Sequence, residues 1–67
     1  MKKEMRELIQ AAEAQGFTWD TTSKGHVRFF LDGVYVTTFA GTPSERRGWK
    51  NSLAPMLRKG FRWPPRR

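Results

Sequence analysis

One side chain in this sequence has an ordinary pKa close to neutrality, the imidazole of His26. A group of that kind can take a proton from a hydroxyl or return one to a leaving oxygen. With one histidine and no cysteine, the chain offers no zinc-ligand set, and no metal or cofactor is indicated. Cations surround the imidazole in sequence. Lys24 and Arg28 flank it at two residues' distance, and Arg46, Arg47 and Lys50 follow in a second group. Guanidinium and ammonium groups at such spacing are suited to phosphate oxygens. Phe30, Tyr35 and Phe39 form a third group, aromatic, which could stack on flat ligands or cover a partner's surface.

The charge distribution indicates what the cations meet. The formal net charge is +7 over 67 residues. Up to Glu45 basic and acidic residues nearly balance. From Arg46 onward stand Arg46, Arg47, Lys50, Arg58, Lys59, Arg62, Arg66 and Arg67, with no carboxylate side chain. Such asymmetry points to a polyanion, and nucleic acid is the favoured one. An anionic membrane fits less well, because Gly and Pro interrupt any continuous basic amphipathic helix. No stretch has the length and apolarity of an export signal or a membrane span. Together with the lack of cysteine, this makes the cytoplasm the expected compartment.

These groups need a scaffold, and the hydrophobic pattern supplies one. Met5, Leu8, Ile9 and Ala12 recur at helical spacing over 2–15, and Gly16 suits the left-handed cap that ends such a helix. Three strand patterns follow: 17–22, 26–31 after a Ser23-Lys24-Gly25 turn, and 34–39 after Asp32-Gly33. A two-residue Asp-Gly loop sets Leu31 opposite Val34, Phe29 opposite Val36 and Val27 opposite Thr38 on the core side. The same register places His26 opposite Phe39, Arg28 opposite Thr37 and Phe30 opposite Tyr35 on the open side.

Thr42-Pro43-Ser44-Glu45 carries a helix start with a capping box. Trp49, Leu53, Met56 and Leu57 then form an apolar stripe up to Gly60, with Pro55 expected to kink or split the helix. Trp19 and Trp49 are expected in the core. Residues 61–67 are a tail, with Phe61 and Trp63 able to fold back. The result is one domain over residues 1–67, a two-layer α+β arrangement of order α-β-β-β-α. Both helices cover one face of a three-stranded antiparallel sheet. A domain this small without staples gains from a partner or a dimer contact.

Several segments resemble the HicA toxin family, whose members have the double-stranded-RNA-binding-domain fold. They are Leu8-Ile9, Ala14-Gln15-Gly16-Phe17, Ser23-Lys24-Gly25-His26-Val27-Arg28-Phe29, Thr37 to Pro43, and Leu57-Arg58-Lys59-Gly60-Phe61. The likeness spans residues 5–61 and is nearest to short forms from actinobacteria and their phages. Two features depart from the family pattern. Gly25 directly precedes His26 where a small hydroxyl residue usually intervenes, and Phe39-Ala40-Gly41 replaces a second histidine or a proline. The resemblance implies a toxin of a toxin–antitoxin system, a metal-independent endoribonuclease (an mRNA interferase) with His26 as its catalytic residue.

It also implies RNA as substrate and a HicB-like antitoxin as partner. Under that reading Lys24, Arg28, Arg46, Arg47 and Lys50 hold RNA phosphates. Arginines at a helix N-terminus oppose the helix dipole, so their placement suggests that an anion is expected there. Two other readings stay open. One is a noncatalytic RNA-binding module gripping phosphates with the same cations. The other is a phage-encoded protein that engages a host protein through Phe30, Tyr35 and Phe39, a strip that could equally be covered by the tail through Trp63.

Overall fold

The computed structural model describes residues 3–40 and 46–63. Its order is helix α1 (Lys3–Ala14), strands β1 (Phe17–Thr21), β2 (Val27–Leu31) and β3 (Val34–Phe39), then helix α2 (Arg46–Arg58). The strands form one antiparallel sheet in the order β1-β2-β3. The expected Thr42 to Glu45 helix start lies outside the described residues, as do residues 64–67 of the tail.

Period two and the contacts show how the layers meet. Phe17 and Trp19 pair with Leu31 and Phe29 across β1 and β2, so these side chains share a face. On that face Trp19 donates its indole N–H to a Glu13 carboxylate oxygen of α1 at 2.7 Å. Phe39 of β3 meets Trp49 of α2 edge-on with ring centroids 5.0 Å apart. Both helices therefore cover the same side of the sheet, α1 over β1 and α2 over β3. Met5, Leu8, Phe29, Phe39 and Met56 are sealed in the single hydrophobic cluster of the described residues.

The hairpin between β2 and β3 turns as expected, with Asp32 and Gly33 at φ 55° and 79°; two positive φ values are what a type I′ turn requires. The register beyond it differs from a plain period-two reading. A β-bulge intervenes between Phe29 and Phe30, so Phe29 faces Thr37, Arg28 faces Thr38 and Val27 faces Phe39. Val36 is the extra residue, and every side chain after it changes face. An unbroken ladder would bury Thr38 and leave Phe39 in water. The bulge instead buries Phe39 to 1 % exposure, and full burial of a phenylalanine is worth about 1.5–3 kcal/mol. The accompanying burial of Thr37 leaves no orphan, since its hydroxyl donates to the Ser52 carbonyl at 2.8 Å.

Two further expectations change, and one of the two readings of the tail is excluded. α2 runs without interruption through Pro55 rather than splitting. Its stripe of Trp49, Leu53 and Met56 is buried as one surface, which holds the two halves together as one helix. The carbonyl of Asn51, deprived of its donor by the proline, belongs to an exposed residue. Leu57 leaves the stripe and is exposed.

Phe61 and Trp63 fold back onto the core as expected, and the tail does not reach the open side of the sheet through Trp63. Lys59, Gly60 and Phe61 close α2 with N–H groups returned to Met56, Leu57 and Met56, a Schellman closure. Phe61 then meets Phe17, and Trp63 stacks on Phe61 and leans on Trp49, all on the helical side. The Gln15 side-chain amide fixes this return. Its oxygen accepts the Arg62 N–H at 2.8 Å and its nitrogen donates to the Arg62 carbonyl at 3.0 Å.

Candidate nucleic-acid interface

His26 lies just outside β2, at the close of the β1–β2 turn. The Gly25 N–H donates to the Thr22 carbonyl at 2.9 Å, and the Thr22 N–H donates to the His26 carbonyl at 2.8 Å. Gly25 has φ +82°, so this is a three-residue loop whose last position needs the left-handed region. The Thr22 hydroxyl oxygen also accepts the N–H of Lys24 at 3.3 Å and of His26 at 3.1 Å. Thr22 thus fixes the backbone on both sides of Gly25, and the turn presents His26 half-buried and Lys24 exposed.

Removing that hydroxyl has a measurable consequence. Thr22→Val should lower unfolding stability by about 1 kcal/mol, the usual net value of a side-chain hydrogen bond, and speed exchange of the His26 amide proton. Thr22→Ser should restore both. Denaturant unfolding and hydrogen exchange by NMR check this, and equal stability of the three proteins would contradict the hydroxyl's role.

The start of α2 lies at the same end of the sheet as His26. Val27 pairs with Phe39, and Phe39 packs on Trp49 in the opening turns of α2. Lys50, next in that helix, is exposed. The positions of Arg46 and Arg47 open α2, but their side chains lie outside the described residues.

Two of the sequence-derived site residues are placed differently from expectation. Phe39 is a core residue and is not part of the open face. His26 stands in the turn and has no β3 partner, because the bulge moves Phe39 opposite Val27. The open face therefore holds Thr18, Asp20, Arg28, Phe30, Tyr35 and Thr38. Phe30 and Tyr35 meet edge-on at 6.1 Å between centroids. The Tyr35 hydroxyl lies 2.7 Å from the Thr38 hydroxyl, a contact between positions three apart that the bulge makes possible.

Arg28 is engaged within the chain. Its Nε and a terminal nitrogen donate to the two Asp20 carboxylate oxygens at 2.7 and 2.6 Å, and its guanidinium sits 5.5 Å from the centre of the Phe30 ring. Asp20 escaped the sequence reading, although the β1–β2 turn aligns it with Arg28 across the strands. Hydrogen bonds from Arg28, helped by its charge and opposed by desolvation, hold the Asp20 carboxyl below its ordinary value of 3.8. The pair raises the Arg28 pKa in turn.

A carboxyl depressed on folding stabilises the fold above its unfolded pKa and loses that contribution as pH falls through the folded one. The gap in melting temperature between the wild type and Asp20→Asn should thus be open at neutral pH and close in acid below about 3.8. Melting curves across that range test this, and a gap independent of pH would contradict it.

The fold and this arrangement define a class, a two-layer α+β domain with a polar turn and a cation-bearing helix start at one end of its sheet. Comparison with family models, with curated proteins and with solved structures finds no match to this chain. Among the described residues no helix is long and apolar enough to cross a membrane.

Proposed function

We propose that this protein is a HicA-like RNA-cleaving toxin that seats an RNA phosphodiester between the β1–β2 turn and the start of α2. One observation carries the reading. The one imidazole of the sequence stands in a turn held by hydrogen bonds, at the end of the sheet where α2 begins. Lys24 and Lys50 are exposed in the turn and in the helix, and the first turn of a helix favours anions.

In the chemistry that follows, neutral His26 takes the proton of a ribose 2′-hydroxyl. The 2′-oxygen attacks the adjacent phosphorus, and the bond to the 5′-oxygen of the next nucleotide breaks as that oxygen takes a proton from solvent water. The products are a 2′,3′-cyclic phosphate and a free 5′-hydroxyl. Lysine ammonium groups and helix N–H groups would stabilise the phosphorane charge. With one general acid–base group contributing about 100- to 10,000-fold, the enzyme is a slow one. Exposed Tyr35 beside half-buried Phe30 suits a covering partner such as an antitoxin.

A second reading, an RNA-binding module without catalysis, draws support from the Arg28–Asp20 pair, which occupies one of the two cations nearest His26 in sequence. Incubation with RNA in the presence of a chelator separates the readings. Cyclic-phosphate ends support cleavage, salt-sensitive binding with intact RNA supports the module, and neither behaviour removes both.

A further inference from the structure

The outer surface of α2 carries charge from Lys50, near the His26 end, to the far end of the helix. At about 100° per residue, Asn51, Ala54 and Arg58 fall on the side of the helix opposite Trp49, Leu53 and Met56, with Lys50 at the flank of that arc. Lys50, Asn51 and Arg58 are exposed, with Ala54 half-buried between them, so the ridge is low at its middle and cationic at both ends. From Lys50 to Arg58 it rises about 12 Å along the axis. Beyond the helix, Lys59 and Arg62 are exposed as well.

None of these four cations has a carboxylate partner among the described residues, and no acidic residue follows Glu45 in the sequence. A helix dipole favours cations in its last turn, which accounts for Arg58. It does not account for Lys50 or for Arg62. Arg62 is also held in place. Its backbone is clamped at both ends by the Gln15 amide, and the preceding Phe61 is buried. A guanidinium on a fixed backbone loses less freedom on meeting a phosphate than one on a loose tail.

We infer that Arg58, Lys59 and Arg62 form a second phosphate-binding track, along which the RNA backbone runs on from Lys50 at the start of α2 towards its C-terminal end. The substrate class is then RNA of several nucleotides beyond the reacting phosphate. This rests on the RNA reading above and deepens it, because the track lies away from His26 and adds affinity with length.

The test compares the wild type with an Arg58→Ala, Lys59→Ala, Arg62→Ala triple variant and with Arg62→Glu. The probes are fluorescein-labelled, cleavage-resistant 2′-O-methyl RNAs of about 4 and about 12 nucleotides, within the span of small single-strand sites. All three side chains are exposed, and a melting curve verifies that each variant is folded. The triple variant should bind the longer RNA about tenfold more weakly, with a salt slope shallower by about 2, as expected for three lost contacts on a single strand. Its binding of the shorter RNA should be unchanged, and Arg62→Glu should follow the same pattern in smaller degree. Wild-type affinity of both variants for the longer RNA overturns the track alone, as does an equal loss at both lengths. Failure of the wild type to bind either RNA overturns the track and the RNA reading together.

Discussion

His26→Ala should abolish metal-independent RNA cleavage, with a rate loss of about 100- to 10,000-fold, while fold and RNA affinity are retained. The imidazole is the only side chain whose unperturbed pKa suits proton transfer at neutral pH, so no neighbour stands ready to replace it. The backbone N–H and carbonyl of His26 close the turn with Thr22, and an alanine keeps both bonds. The substitution therefore removes the ring and leaves its support. Binding should survive because the exposed cations Lys24, Lys50 and Arg58 remain. Single-turnover cleavage of a labelled RNA, beside a melting curve and a binding titration, reads all three quantities. Cleavage by the variant at the wild-type rate would assign the reaction to another group or to a contaminant.

Phe39→Ala should be the most destabilising single change among the open-face candidates of the sequence. Phe39 is 1 % exposed and meets Phe29 at 5.6 Å and Trp49 at 5.0 Å between ring centroids. Truncating a phenylalanine so enclosed costs about 3–5 kcal/mol. Domain stabilities are about 5–15 kcal/mol and small cores lie at the low end, so much of the chain should unfold at physiological temperature. Tyr35→Ala is the control. Tyr35 is 55 % exposed, and an exposed residue of this kind usually changes stability by about 0.5 kcal/mol or less. Without the bulge the two residues would share the open face and their substitutions would resemble each other. Urea unfolding of both variants distinguishes the cases, and similar midpoints would argue against the bulged register.

These two residues also show where sequence reasoning reaches and where it stops. The α1 stripe of Met5, Leu8, Ile9 and Ala12, the Asp32-Gly33 hairpin and the Gly16 and Gly60 helix ends were legible, because each is set by local spacing or by a local need for positive φ. The bulge at Val36 was not. Period two with a two-residue loop gives an unbroken ladder, and the extra residue is selected only when the gain from burying Phe39 in place of Thr38 is weighed against α2.

Pro55 illustrates the same limit. Its local effect disfavours a continuous helix, yet the buried stripe on either side keeps α2 whole. In the candidate site, the turn that carries His26 was visible in Ser23-Lys24-Gly25. The Thr22 hydroxyl that fixes it, and the Asp20 that engages Arg28, depend on cross-strand contacts. Arg28 was legible as a cation; its partner was not. The Gln15 clamp on Arg62 joins positions 47 residues apart, beyond any local pattern.

The most direct measurement is an NMR titration of the isotopically labelled protein with a cleavage-resistant 2′-O-methyl RNA, following the His26 ring signals and the backbone amides. The expected result is a saturable shift of the imidazole resonances, of the amides of residues 22–26 and of the opening turns of α2, weakened by added salt. A His26 ring unmoved by RNA while the signals of Phe30 and Tyr35 respond would place binding on the open face of the sheet away from the turn, and the imidazole would have no part in what the protein does to RNA.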